Sequence, residues 1–143
     1  MNEQRLRKGR VSIPGQIYLV TICCHHRYPF FNHYPLARWA CRGLHDAGSR
    51  SGNMNLCYVT MPDHVHWLFQ LGNQATLSAT VSHFKGHTSR LCGVRLWQKG
   101  FHDHALRDEK DLKNIARYVV ANPLRANLVE SLRQYPYWDA KWL

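Results

Sequence analysis

The chain has 143 residues, a length that fits one domain built around one continuous core. Hydrophobic residues make up 45% of the sequence and aromatic residues 12%, which excludes a disordered tail. The 19 Lys and Arg against 9 Asp and Glu give a formal net charge of +10, which favours a polyanionic partner, nucleic acid first and an anionic membrane second. We predict a single domain over residues 1–143, with a basic arm over residues 1–14.

The cysteines indicate the redox environment. The five cysteines are odd in number and include no C-x-x-C pair, so we predict reduced core cysteines and no disulfide framework. Cys23-Cys24-His25-His26 looks like a zinc cluster, but consecutive residues of a strand point in opposite directions, which suits tetrahedral zinc poorly. No apolar run approaches the roughly 18 residues of a membrane span, and no signal peptide is recognisable. These features predict a cytoplasmic protein without a membrane anchor.

The first half of the chain reads as a strand, a helix and a second strand. Residues 17–24 are β-branched and aromatic, which predicts a buried strand, and residues 25–35 contain two prolines and read as loop. A helix should follow and stop at Gly48. Its predicted core-facing residues, at helical spacing, are Leu36, Trp39, Ala40 and Leu44. Residues 54–60 predict the second strand.

The next stretch carries the first candidate site. Pro62-Asp63 makes a tight break before an apolar run from His64 to Leu71, so the two strands should form an antiparallel hairpin. Side chains alternate along a strand, so His64 and His66 should share one face while Val65 and its alternate neighbours fill the core. Neutral imidazoles are common metal ligands. The simpler alternative is a strand with two histidines on its solvent-exposed face and no bound metal.

A helix and a short β-like segment come next. Leu77, Val81, Phe84 and Leu91 lie on one face of a predicted helix that runs from residue 77 to about 90. The segment 94–106 contains a second H-x-H, His102-Asp103-His104. Because its central residue is polar, we interpret it as surface and not as a metal site.

The last predicted helix carries the second candidate site. Asp108 should be its N-cap, and Pro123 should end it near Asn122. Tyr118 and Asn122 lie one turn apart at the edge of its apolar stripe, where a side chain can reach a cleft beside the core. The stripe comprises Leu112, Ile115, Ala116, Val119 and Val120. The aromatic tail, with Tyr135, Tyr137, Trp138 and Trp142, should fold back onto the domain.

The order of these elements predicts an α+β fold. A strand, a helix, two strands, a helix, a β-like segment and a helix suggest a small antiparallel sheet with helices packed on it, ferredoxin-like in outline. No repeat or linker interrupts the chain.

Several motifs together resemble a known family. They are Tyr18-Leu19-Val20-Thr21, Arg27-Tyr28-Pro29-Phe30-Phe31, Met61-Pro62-Asp63-His64-Val65-His66, Trp97-Gln98-Lys99-Gly100-Phe101 and Tyr118-Val119-Val120-Ala121-Asn122-Pro123-Leu124-Arg125-Ala126. With these motifs the chain resembles the REP-associated tyrosine transposases, which are HUH single-strand nucleases with one catalytic tyrosine. H-x-H alone is a weak signal, but its combination with Tyr-x-x-x-Asn-Pro-x-Arg-Ala is specific. Asn127 stands where the family often has glycine.

The resemblance implies a mechanism. His64 and His66 would hold one divalent ion, Mg²⁺ or Mn²⁺, with Asn122 as an oxygen ligand. The Tyr118 hydroxyl would attack the scissile phosphate and form a 5′-phosphotyrosine, from which a returning 3′-OH could reseal the strand. The substrate would be single-stranded DNA with repetitive extragenic palindromic hairpins, and the protein would act at the nucleoid as a monomer or a homodimer.

Basic residues supply candidate DNA contacts, and other functions compete with the nuclease. The candidate phosphate contacts are Arg5, Arg7, Lys8 and Arg10 of the arm, with Lys85, Arg90, Arg117 and Arg125. One alternative is a DNA-binding protein on the same fold that no longer cuts. Another is a zinc-stabilised nucleic-acid module that uses the Cys and His residues, and a metal-dependent hydrolase is a further one.

Overall fold

The computed structural model describes residues 12–50, 52–106 and 111–142. Within those ranges five strands form one antiparallel sheet in the order β4-β1-β3-β2-β5. The strands are β1 (Ile17–Cys23), β2 (Met54–Met61), β3 (His64–Gln70), β4 (His102–Leu106) and β5 (Trp138–Ala140). The helices are α1 (Tyr34–Arg50), α2 (Leu77–Cys92), α3 (Leu112–Val120) and α4 (Asn122–Arg125), with short 3₁₀ turns at His25–Arg27, Phe30–Asn32 and Leu132–Gln134.

The ferredoxin-like prediction is confirmed. Strands β4, β1, β3 and β2 lie side by side in that order, α1 connects β1 to β2, and α2 connects β3 to β4. The predicted hairpin joins β2 to β3 through Pro62 and Asp63, with Met61 opposite His64. The tail folds back as expected, because β5 pairs with β2 and adds a strand at that edge.

Two hydrophobic cores lie on the two faces of the sheet. On one face α1 and α2 cover the side chains of Val65, Trp67 and Phe69, all fully buried. On the other face the apolar stripe of α3, which includes Ala116, Val119 and Val120, packs on residues of β2 and β3 such as Leu68. Alternate residues of β3 therefore contribute their side chains to different cores, one on each face of the sheet.

Three details of the sequence interpretation are wrong. Helix α1 continues past Gly48 to Arg50, because one glycine costs a helix only about 1 kcal/mol relative to alanine. Trp39 is 41% exposed, since the buried face of α1 consists of Ala37, Ala40, Leu44 and Ala47, one position further along the helix. Leu91 is 37% exposed, and the buried face of α2 ends instead at Thr88.

The cysteine prediction is confirmed, since all five are free and Cys23, Cys24 and Cys57 are buried. Burial raises the pKa of the Cys24 and Cys57 thiols to about 12. Among the helices of the described ranges, none combines the length and the apolar character that crossing a membrane requires. The predicted N-cap Asp108 and the arm residues Arg5, Arg7, Lys8 and Arg10 lie outside the described residues.

Candidate functional site

The two histidines of β3 lie on the sheet face that α3 covers. Val65 and Trp67 belong to the opposite core, so the alternation places His64 and His66 together on the α3 side. Their ring centroids are 4.8 Å apart and the rings are nearly perpendicular, at 85°. Because β3 is hydrogen-bonded to β1 on one side and β2 on the other, the backbone of both residues is fixed.

A hydrogen-bond network holds His64. The Nδ1 atom of His64 lies 2.7 Å from one carboxylate oxygen of Asp63, and Arg27 Nε donates to the other at 2.9 Å. Burial alone would raise the pKa of the Asp63 carboxyl, but the hydrogen bonds from Arg27 and His64 outweigh it and hold the pKa below its ordinary value. His26 and Arg27 both adopt a left-handed φ of 55°, an uncommon conformation for side-chain-bearing residues. The chain thus accepts local strain where Arg27 meets Asp63.

A neighbouring strand holds His66. Thr21 of β1 is directly opposite His66, and its hydroxyl lies 3.0 Å from Nδ1 of the imidazole. Burial lowers the pKa of His66 to about 4, and the neighbouring His64 ring and the positive charges of Arg125 and Arg27 contribute in the same direction. His66 is therefore neutral near pH 7, which is the form that binds metals.

Each of the two imidazoles has one ring nitrogen held by a neighbouring side chain. With Nδ1 of His64 beside Asp63 and Nδ1 of His66 beside Thr21, each ring has its Nε2 atom left for a further partner. A carboxylate on the far nitrogen fixes the tautomer and the orientation of metal-binding histidines in many proteins, as Asp63 could do for His64, whereas the Thr21 hydroxyl can either donate to His66 or accept from it. Sequence reasoning assigned no role to Arg27, Asp63 or Thr21, although the position of Asp63 directly before H-x-H was a usable signal.

Tyr118 lies on the open edge of α3, as the helical spacing predicts. Its side chain is 66% exposed, and the Arg125 guanidinium lies over the ring, 3.7 Å from the centroid. This distance is well within the range of cation–π interactions. The charge of Arg125 also contributes to lowering the pKa of His66, so the guanidinium that contacts the Tyr118 ring is near His66 as well.

The break between α3 and α4 orients Asn122. Helix α3 ends at Val120, and Asn122 and Pro123 begin the next helical turn, where proline is tolerated. The Asn122 side-chain nitrogen donates to the Val119 carbonyl at 2.6 Å, which leaves the amide oxygen as the atom for a cation. After α4, Asn127 adopts a left-handed φ of 57°, which glycine also accepts readily.

The donor set fits a divalent ion that accepts nitrogen ligands. Two imidazole nitrogens and one amide oxygen suit Mn²⁺ better than Mg²⁺, which prefers oxygen. Within residues 12–50, 52–106 and 111–142 no group of three His, Cys, Asp or Glu side chains is placed to hold a metal ion. The same finding gives no support to a zinc site at Cys23-Cys24-His25-His26.

The predicted DNA contacts have different surroundings. Lys85 Nζ donates to the carbonyls of Gln98 and Gly100, so it fastens α2 to the following loop. Arg90 and Arg117 are exposed on α2 and α3. His102 and His104 of the second H-x-H occupy exposed positions of the outer strand β4, as predicted.

Comparison with protein-family models establishes the family to which the chain belongs. The family model of the IS200-like transposases matches residues 13–122, a stretch that includes His64, His66 and Tyr118 and ends at Asn122. The chain belongs to the IS200-like transposase family.

Individual relatives narrow the resemblance to the REP-associated tyrosine transposases. A member of Haemophilus influenzae assigned to this group is 29% identical over 93 residues, and one of Escherichia coli is 28% identical over 83 residues. These matches cover 54% and 56% of this chain but only 53% and 50% of the relatives, so the chain spans about half their length. A solved structure of a REP-associated tyrosine transposase bound to a REP hairpin superimposes with a TM-score of 0.74 at 22% identity, over 90% of this chain and 79% of the other. That match shows the shared fold.

Proposed function

We propose that this chain cleaves and rejoins single-stranded DNA at repetitive palindromic hairpins, with Tyr118 as the nucleophile. The observation that carries the proposal is that His64 and His66 lie on the same face of the sheet as the helix that bears Tyr118, with Arg125 close enough to contact the Tyr118 ring and to influence His66. The family membership and the hairpin-bound structural relative support the same substrate class. The proposal holds for a monomer or a homodimer.

His64, His66 and Asn122 would hold one Mn²⁺ or Mg²⁺ ion. When bound, such an ion supplies polarisation of a non-bridging oxygen of the scissile phosphate. Asp63 and Thr21 keep the two imidazoles oriented, so that the ligands need little rearrangement when DNA arrives.

Tyr118 would carry the covalent step. Its hydroxyl oxygen attacks the phosphorus and loses its proton to solvent, while the bond from phosphorus to the 3′ oxygen breaks and that oxygen takes up a proton. The product is a 5′-phosphotyrosine and a free 3′-OH, and the reverse attack reseals the strand without ATP because the phosphodiester bond is exchanged, not hydrolysed. Arg125 holds the ring by its cation–π contact and brings positive charge to the phosphate.

The remaining basic residues would hold the DNA backbone. Arg117 lies one position before the nucleophile on α3, and Arg90 adds an exposed cation on α2. Lys85 has two of its three protons engaged by carbonyls, so its contribution to DNA binding should be the smallest of these. The arm residues Arg5, Arg7, Lys8 and Arg10 complete the proposed set.

A covalent-adduct assay tests this function. The protein is incubated with end-labelled single-stranded hairpin DNA and Mn²⁺ or Mg²⁺, and a denaturing gel compares it with Tyr118→Phe and His64→Ala. We expect a metal-dependent labelled adduct that both variants lose. DNA binding without any adduct or free 3′-OH would favour the alternative, a DNA-binding protein that no longer cuts. An adduct that persists in Tyr118→Phe would show that the nucleophile is another residue.

A further inference from the structure

The outer surface of α1 carries a groove that the cleavage chemistry does not use. Its volume is about 390 Å³, and its lining consists of Tyr34, Pro35, Arg38, Trp39 and Arg42. This volume lies at the lower end of the roughly 300–1,000 Å³ usual for ligand sites. The groove is therefore large enough for a small planar group and too small for a folded partner domain.

Two aromatic rings in the groove face solvent. Tyr34 is 57% exposed and Trp39 is 41% exposed, whereas the helix buries small residues against α2. At five residues apart, the two side chains are separated by about 7.5 Å along the helix axis. Exposed tryptophan and tyrosine rings at this spacing offer two separate faces on which flat groups can stack.

The charge of the groove is positive. The Arg38 guanidinium lies over the Tyr34 ring, 5.5 Å from its centroid. Arg42 lies 3.7 Å from the carboxylate of Asp46, one helical turn further on. Because this ion pair is exposed to solvent, Asp46 holds Arg42 only weakly. Two arginines against one carboxylate, interleaved with aromatic rings, are the combination that binds unpaired bases by stacking and their phosphates by charge.

A series of aromatic rings connects the groove with the other face of the sheet. Tyr135 packs in the core beneath α3, its ring meets Tyr137 at 5.5 Å, and Tyr137 meets Tyr34 at 6.3 Å. The start of α1 is also tied to the β2–β3 turn, because the Phe31 N–H donates to the Pro62 carbonyl at 3.0 Å. The groove therefore begins beside the end of the sheet that carries His64.

We propose that the α1 groove binds unpaired nucleotides of single-stranded DNA. Trp39 and Tyr34 stack on bases, and Arg38 and Arg42 contact the adjoining phosphates. The choice of DNA as the occupant rests on the proposed function, while the stacking and the positive charge are properties of the groove itself. Duplex DNA does not fit, because its base faces are already stacked on one another.

Binding of a short single-stranded oligo(dT) tests the groove separately from cleavage. Affinity is measured by fluorescence anisotropy in EDTA, so neither a hairpin nor a metal nor the Tyr118 reaction is needed. We expect Trp39→Ala to weaken binding by about 5- to 100-fold, the usual effect of removing one stacking ring. Trp39→Phe keeps a ring and should retain most of the affinity, and thermal melting of both variants checks that the fold is intact.

The arginines are tested by the salt dependence of the same binding. Replacing Arg38 and Arg42 together by alanine should reduce the slope of log affinity against log salt by about 1.4, or about 0.7 per phosphate contact. Replacement of both by lysine keeps the charges and should keep the slope. Photo-crosslinking of oligonucleotides that contain 5-iodouracil should label the peptide that carries Tyr34 and Trp39.

Three outcomes would overturn the inference. The first is an oligo(dT) affinity that is unchanged in Trp39→Ala, and the second is a set of crosslinks that avoid the α1 peptide. The third is a dimer that Trp39→Ala dissociates without loss of DNA binding, which would show that the groove is an interface between copies of this chain. Failure of the proposed function is a separate result, namely the absence of a Tyr118 adduct. An oligonucleotide that binds the groove of a chain that forms no adduct would leave the inference standing.

Discussion

In the proposed site, Asp63 would determine how well His64 can serve as a metal ligand. Its carboxylate is shared between Arg27 and His64, at 2.9 Å and 2.7 Å. Replacing Asp63 by alanine leaves the His64 ring without the partner on Nδ1 that fixes its tautomer and orientation. We expect weaker metal binding and slower cleavage, with Asp63→Asn intermediate because the amide oxygen can still accept from Nδ1 while the negative charge is lost.

The size of the effect follows from the burial of the three groups. The Arg27 side chain is 55% exposed, so its contact with Asp63 is screened by solvent and contributes little. The His64 side chain is only 18% exposed, so its contact carries most of the effect. Loss of such a partner weakens metal affinity by about 10- to 100-fold, or about 1.4–2.8 kcal/mol.

The measurement uses protein that cannot turn over. Mn²⁺ affinity is determined by titration calorimetry in a Tyr118→Phe background with single-stranded hairpin DNA present, and cleavage rates come from the same Asp63 variants with Tyr118 intact. Asp139→Asn is the matched control, since Asp139 is exposed and lies on β5, and its carboxylate accepts a local hydrogen bond from the Ala140 N–H. Mn²⁺ affinity of Asp63→Ala equal to that of its parent would refute the assignment of Asp63 as the residue that positions His64.

Three further predictions concern stability, pH and thiol chemistry. Trp67→Ala should lower the free energy of unfolding by about 3–5 kcal/mol, because Trp67 is fully buried and donates to Asn55 at 2.7 Å, and urea denaturation should show a much smaller loss for the partly exposed Trp39→Ala. In metal-free protein the pKa of His66 is about 4, below the ordinary value, so the unfolded state takes up a proton first as the pH falls. The contribution of His66 to the free energy of unfolding is therefore complete above about pH 6.5 and is lost towards pH 4, by at most about 3 kcal/mol. Urea midpoints in EDTA should therefore fall over this window, and a His66→Gln variant with the same slope as the wild type would contradict the assignment. The Cys24 and Cys57 thiols, with pKa values raised to about 12, should react with a thiol reagent at pH 8 only when denaturant is added, and rapid labelling of the native protein would count against their burial.

Local sequence rules were sufficient for the order of the main elements and for the faces of those elements on which His64, His66 and Tyr118 lie. The period-two alternation from His64 to Leu71 correctly separated the histidines from the core side chains, because β3 is central and both of its faces are covered. Helical spacing likewise placed Tyr118 at the open edge of α3. The ferredoxin-like order followed from the number and sequence of elements alone.

The contacts between distant segments could not be predicted in this way. Arg27 meets Asp63 across 36 positions of the chain, and Thr21 meets His66 only because β1 and β3 pair in one particular register. Trp39 was assigned to the core because it lies at helical spacing from Leu36, Ala40 and Leu44. The buried face of α1 instead consists mainly of small residues that pack against α2, one position further along the helix. Which face is buried depends on how closely the two helices approach, and local spacing does not reveal that distance.

The two halves of the site differ in how firmly the fold holds them. The histidines lie on a strand that is hydrogen-bonded on both sides, a place where amide hydrogens usually exchange with solvent most slowly. Tyr118 lies on α3, a helix of nine residues, which is shorter than the roughly 12–15 residues that an isolated helix needs in water. Helix α3 therefore depends on its packing on the sheet, and mild denaturing conditions should detach Tyr118, the proposed nucleophile, while the histidine pair stays in place. The proposed cleavage would then stop before the sheet unfolds, so its loss would be a more sensitive measure of damage to this protein than loss of the fold.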